Sequence, residues 1–238
     1  MKPVITKDNV RFFAYVNDAV LKGPARGLAV DFKGLGSTAM YDGDTDIGRR
    51  FGDRGILYVT PYVNPWAWMN PFAVRETDEI LEAVFARTDG PVPVVACGGS
   101  MGGLSCLIYT RYAARTPVAC VANCPVCDLP YHYTERPDLP RTLYSAFGDA
   151  DAETLEAAMQ KASPYHLALN SDMPKIPYTI FHCTEDHAVN KAMHSDRFVD
   201  ALAKFAPVTY IPVPGRDHCD LGEEMWAKYE ETIMNALL

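Results

Sequence analysis

The sequence predicts an α/β fold: a mostly parallel central sheet flanked by helices, built as a single domain over residues 1–238. Three observations lead there. Short apolar, β-branched runs alternate with longer runs of helical periodicity, the pattern of strands joined by crossover helices that cover both faces of a sheet. A chain of 238 residues with 48% hydrophobic and 22% charged residues suffices for one substantial core and is short for two. No linker, low-complexity tract or internal repeat divides it.

The elements follow in order. Residues 10–17, 27–32 and 55–60 read as the first three strands, each a compact apolar run. Residues 74–87 read as a helix, because Ile80, Leu81, Val84 and Phe85 recur at helical spacing while Arg75, Glu79, Glu82 and Arg87 fall on the wet side. A strand at 92–97 leads into a helix at 102–115, and a further strand is expected at 118–122. The stretch from Cys124 to Asp151, rich in Pro, Tyr and Asp, is the least regular and reads as a small cap or substrate-facing loop. Beyond it come a helix at 152–161, a strand at 178–183, a helix at 195–205, a strand at 208–213 and a helix at 223–236.

Composition excludes several classes. A formal charge of −8 argues against non-specific binding to nucleic acid or to an anionic membrane. No apolar stretch approaches the ~20 residues that span a bilayer. The first residues, Met1 to Asp8, lack the apolar run of a signal peptide, so cytoplasmic residence is expected. Seven cysteines, an odd number scattered through apolar segments, read as free buried thiols. Cys124-Pro125-Val126-Cys127 has C-x-x-C spacing, but no second pair completes a zinc site and no redox context follows.

The chemistry concentrates at Cys97-Gly98-Gly99-Ser100-Met101-Gly102-Gly103, where a serine sits among four glycines between a strand and a helix. Glycines two residues either side of Ser100 permit a sharp turn that side chains would block, exposing its Oγ at a helix N-terminus. Acyl transfer further needs a base and a carboxylate that orients it. His218, in the turn after the last strand, is the expected base, and Asp186, in the turn after strand 178–183, the expected acid. Both follow strand C-termini, where open α/β sheets carry their sites. Asp128 is the rival acid, Glu185 a near neighbour of the chosen one. His182 reads as a structural strand-end residue, and His187 and His194 as solvent-facing. The cluster His182, Glu185, Asp186 and His187 lacks metal-binding helical spacing, so neither metal nor organic cofactor is expected. The oxyanion hole is assigned to the amides of Met101 and of Leu35, with Gly34 second, in the loop Lys33-Gly34-Leu35-Gly36. Trp66, Trp68 and Tyr131 are the candidate substrate-binding residues; the tryptophans could equally plug their loop onto the core.

Together these residues resemble the α/β-hydrolase superfamily, and within it the prolyl-oligopeptidase-like serine hydrolases and related small esterases. The elbow at Gly98–Gly103, the run Ala162-Ser163-Pro164-Tyr165-His166-Leu167 with Ile176-Pro177 and His182-Cys183-Thr184-Glu185-Asp186, and the Asp186-to-His218 spacing carry the likeness. The resemblance implies Ser100, Asp186 and His218 at the triad and Leu35 and Met101 at the oxyanion hole. Two departures stand out: Lys33 where relatives have histidine before the glycine, and Cys183 where they have glycine. The family's oligopeptidases usually carry an N-terminal propeller; here about 25 residues precede the first core strand, so an oligopeptidase is not the expectation.

The expected function is therefore hydrolysis of a small-molecule carboxylic ester through an acyl-enzyme on Ser100. An aminopeptidase or amidase, with Asp128, Glu135 or Asp138 receiving an α-amino group, is the alternative, and a non-catalytic binding protein of the same fold is the third reading. Dimerisation is common in the superfamily, so a homo-oligomer stays open.

Overall fold

The computed structural model describes residues 4–88, 90–148 and 152–238. Seven strands, β1 (Ala14–Val16), β2 (Gly27–Phe32), β3 (Ile56–Pro61), β4 (Val94–Gly99), β5 (Ala119–Asn123), β6 (Tyr178–Cys183) and β7 (Val208–Val213), form one sheet ordered β1-β3-β2-β4-β5-β6-β7. β1 runs antiparallel to β3, and every other pairing is parallel. Along β2, Leu28 and Val30 enter one core and Ala29 the other, the two-residue period of a sheet buried on both faces.

The described helices are α1 (Asp46–Asp53), α2 (Pro71–Phe85), α3 (Met101–Tyr112), α4 (Leu129–Glu135), α5 (Leu139–Phe147), α6 (Ala152–Lys161), α7 (Pro164–Leu169), α8 (Arg197–Leu202) and α9 (Gly222–Asn235). α2 and α3 pack against one face; α1, through Phe51, and α9, through Tyr229 and Ile233, cover the other. No described helix is long and apolar enough to cross a membrane.

Several expectations are corrected. The run 10–17 divides into a 3-10 turn, Val10–Phe12, and the short strand β1. The strand expected at 92–97 begins at Val94, because Pro91 and Pro93 have no N–H for the ladder. α2 starts earlier than expected, at Pro71, with the Asn70 side chain accepting from Ala73 N at 3.0 Å. α1 has no strong signature in the sequence because two of its eight residues are glycines. A Cβ at Gly48 would lie 2.1 Å from the Tyr15 hydroxyl, so close packing demands the weaker helix former. The irregular stretch 124–151 is largely helical, comprising α4 and α5, while residues 149–151 lie outside the described residues. The helix expected at 195–205 begins as a π-helical turn, Ala192–Asp196, before α8. These regions place β4, β5, β6 and β7 side by side, so the loops following them converge at one sheet edge.

Candidate active site

β4 ends at Gly99 and α3 begins at Met101, leaving Ser100 as the single residue of the turn, at φ 61° and ψ −125°. A non-glycine residue there carries strain of about 1–3 kcal/mol, which the surroundings must enforce. They do so sterically. A Cβ at Gly102 would stand 1.9 Å from the Phe32 carbonyl oxygen, and one at Gly98 2.5 Å from that of Gly102. Ser100 N also donates to Asn123 O on β5 at 2.9 Å. Met101 opens α3, so its N–H has no helical acceptor. Leu35 and Gly34 lie on the wall of the cavity that contains Ser100, and a Cβ at Gly34 would be 3.8 Å from Ser100 Cβ.

Ser100, His218 and Asp186 meet across 118 residues of chain. The Ser100 hydroxyl lies 2.8 Å from His218 Nε2, and His218 Nδ1 lies 2.7 Å from Asp186 Oδ2. The Asp186 side chain is fully buried, and its Oδ1 accepts from Ala188 N at 2.9 Å and Val189 N at 2.8 Å. Its Oδ2 takes a second N–H, from His182 Nε2 at 3.2 Å. His182 is wholly buried; Nε2 also points to Val189 O at 3.2 Å, so the ring proton sits there and Nδ1 accepts the Ser195 hydroxyl at 2.6 Å. Burial alone would raise the Asp186 carboxyl, but the donors from His182, His218 and Val189 hold it well below the usual carboxylate range. His182 thus positions the Asp186 carboxylate, which its sequence position did not announce.

Below the His218 ring lie two thiols. Cys219 Sγ is 3.7 Å from His218 Nε2, and Cys124 Sγ accepts N–H from Cys183 at 3.3 Å and from Cys219 at 3.4 Å. The Cys219 thiol donating to Cys124, helped by His218, outweighs burial and brings Cys124 down to about 5. Burial lowers His218, but its bonds to Asp186 and Cys124 prevail and raise it to about 9.

The cavity is about 520 Å³, walled by Leu35, Trp68, His132, Arg136 and Val189 among others. Trp68 is buried and donates to Thr142 Oγ1 at 3.1 Å, and it also lines the cavity. Trp66 is 40% exposed, with the Arg141 guanidinium 5.6 Å over its ring, and is not among the residues walling this cavity. Tyr131 borders a neighbouring depression with Glu135 and Asp186. Asp31 also reaches the cavity wall, where the Tyr58 hydroxyl donates to it at 2.7 Å; burial pushes its carboxyl up to about 6 against that bond.

Other sequence candidates are occupied elsewhere. Asp128, the rival acid, caps α4 by accepting from Tyr131 N at 3.1 Å and pairs with Arg197 at 3.0 Å. Cys124 and Cys127 enter opposite cores and all seven cysteines are free, so the C-x-x-C spacing is not a disulfide. His187 is exposed, as expected, but His194 is completely buried, contrary to expectation. The reason is the cap: His194 Nε2 donates to Glu135 Oε2 at 2.8 Å, and Glu135 also bonds His132 on α4. His194 Nδ1 accepts from Cys127 N and Asp128 N, both at 3.1 Å, which leaves Nε2 protonated and without a lone pair for a metal.

Among curated proteins, no sequence matches this one at a significant level. Solved structures of similar fold include a truncated carbohydrate esterase from gut microbiota, with TM-score 0.71 and 14% identity over 91% of this chain and 87% of that one. A thermophilic esterase, Est2, from Thermogutta terrifontis has TM-score 0.63 and 21% identity over 92% of this chain and 84% of its own. A puromycin-hydrolyzing peptidase from Mycobacterium tuberculosis gives 0.63 and 20% over 91% of this chain, which spans 33% of the peptidase. At these identities the likeness is one of fold. A family model described as "Alpha/beta hydrolase family" matches residues 10–232, and the chain belongs to that family.

Proposed function

We propose that the protein is a serine hydrolase of small carboxylic esters. The observation that carries this is the unbroken relay from Ser100 Oγ through His218 to Asp186, at 2.8 Å and 2.7 Å, opening on a cavity. His218 Nε2 takes the hydroxyl proton as Ser100 attacks the ester carbonyl, and returns it to the departing alcohol. With His218 raised to about 9, Nε2 presents its lone pair only once the imidazolium has lost a proton; Asp186 keeps the remaining proton on Nδ1, so turnover should rise with pH through about 9. The amides of Met101 and Leu35 receive the oxyanion, and Leu35, Trp68 and Val189 give the acyl-enzyme an apolar surround. Water, activated by the same histidine, releases the acid.

The esterases among the structures of similar fold favour this over the aminopeptidase reading. So does the state of the carboxylates that an aminopeptidase would need. Asp128 pairs with Arg197, Asp138 with Arg136, and Glu135 with His132 and His194. None is left to receive an α-amino group.

The test is hydrolysis of p-nitrophenyl acetate and butyrate by wild type and Ser100→Ala. Loss of about 10⁴-fold or more in kcat is expected, together with loss of fluorophosphonate labelling. Near-normal turnover by Ser100→Ala would overturn the nucleophile, and faster cleavage of an aminoacyl p-nitroanilide would overturn the ester preference.

A further inference from the structure

We propose that Cys124, Cys219 and His218 form an inhibitory zinc site that switches off the hydrolase by taking the base nitrogen of His218. As a switch the proposal rests on the reading of His218 as base; as a binding site it does not.

The three ligand atoms, two thiol sulfurs and an imidazole nitrogen, all lie within 4.8 Å of one another. Tetrahedral zinc, with Zn–S of about 2.3 Å and Zn–N of about 2.0 Å, sets its sulfur and nitrogen ligands about 3.5 Å apart. Cys219 Sγ and His218 Nε2 stand at 3.7 Å. The surroundings of the site match those of bound zinc. Asp186 accepts from His218 Nδ1, the carboxylate–histidine pairing that orients a zinc-binding imidazole toward the metal through Nε2. Cys124 Sγ accepts two backbone N–H groups, from Cys183 and Cys219, which steady a metal-bound thiolate. Cys219 is partly exposed on the cavity wall, giving the ion its entry path.

The backbone is shaped around this cluster. Six described non-glycine residues have positive φ, and Cys124 at 43° and Cys219 at 60° are two of them, with Ser100 a third. Strain of this kind persists only where the surroundings impose it. Binding displaces the protons held by the cluster, and the zinc occupies the Nε2 lone pair that would otherwise take the proton of Ser100. The other mixed clusters do not compete. His194 has no free lone pair, and both nitrogens of His182 are engaged with Ser195, Val189 and Asp186.

The test uses reduced, metal-stripped protein at about pH 8. Cobalt(II), a spectroscopic substitute for zinc, is titrated into wild type, Ser100→Ala and Cys124→Ser. A sulfur-to-cobalt charge-transfer band is expected in the first two and is lost or sharply weakened in the third. In parallel, zinc should abolish p-nitrophenyl butyrate hydrolysis by wild type, with EDTA restoring it. Cys124→Ser, scored against its own zinc-free rate, should need at least tenfold more zinc. If Cys124→Ser fails to fold, Cys219→Ala serves for the cobalt band. Absence of the band in wild type, or equal zinc sensitivity in the variant, overturns the site. A band without ester hydrolysis upholds the site and sinks the esterase reading; hydrolysis without a band does the reverse.

Discussion

Around Ser100 the backbone is fixed by exclusion. Side chains are missing where they would strike the carbonyls of Phe32 and Gly102, and the turn has nowhere else to go. The cap formed by α4 and α5 faces the same cavity but is tied down by polar side chains from distant segments. Glu135 reaches His194, Trp68 reaches Thr142, and Asn70 donates to Ala146 O at 2.7 Å. The first arrangement tolerates almost no change and holds one atom in one place. The second is a set of separable ties, each of modest strength, so the wall of the cavity can be retuned without disturbing Ser100.

Substitutions at the two places should therefore differ in kind and size. Asp186→Asn, which keeps the shape of the side chain, should lower kcat by about 10⁴-fold on p-nitrophenyl esters and also lower the thermal midpoint, because the buried carboxylate that accepts from His182, His218, Ala188 and Val189 is lost. Gly102→Ala is expected to destabilise the fold by about 4 kcal/mol or more in chemical denaturation, because backbone, not a mobile side chain, blocks the added Cβ. A wild-type midpoint in that variant would mean that the elbow is softer than its geometry implies.

At the cap, Glu135→Gln should weaken protection of α4 amides in hydrogen exchange by about 2 kcal/mol, the scale of hydrogen bonds to a charged group, with global unfolding changed less. Burial alone would raise Glu135, but bonds from His132 and His194 bring it from 4.5 to about 2. Burial keeps His132 low despite its partner, so ring N–H groups, not full positive charges, hold the carboxylate. The tie is accordingly present above pH 4.5 and disappears as pH falls through about 2.

The smallest effect belongs to Asp31→Asn beside the elbow. The Asp31 carboxyl is raised from 3.8 to about 6 by burial, so its favourable contribution is complete below pH 3.8 and lost as pH rises through 6. Allowing for water in the cavity, the variant should gain about 1 kcal/mol on wild type between pH 4 and pH 8, read from denaturation midpoints. A flat difference would show that Asp31 is well solvated.

The elbow was legible in the sequence because its cause is local: glycines at fixed offsets from a serine, between an apolar run and a helix. Asp186 and His218 were legible because strand ends mark the edge where such groups gather. The roles of His182, Cys124 and His194 were not, since each depends on partners brought in by the fold from Ser195, Cys219 and Glu135. α1 was missed because packing against Tyr15 imposes glycine where helix propensity would choose otherwise. The cap read as irregular because proline, acceptable in a helix's first turn, opens both α4 and α5.

Tyr229 on α9 accepts from Gly98 N at 3.0 Å and donates to Val121 O at 3.4 Å, joining the last described helix to β4, the strand that leads into Ser100, and to β5. During synthesis, Ser100 leaves the ribosome long before His218 and longer still before Tyr229. A growing chain can build the sheet around β4 while its serine has neither a proton acceptor nor a finished turn. Under the proposed relay, a chain interrupted before His218 has no base for Ser100, so hydrolysis waits for the last strand and the turn after it.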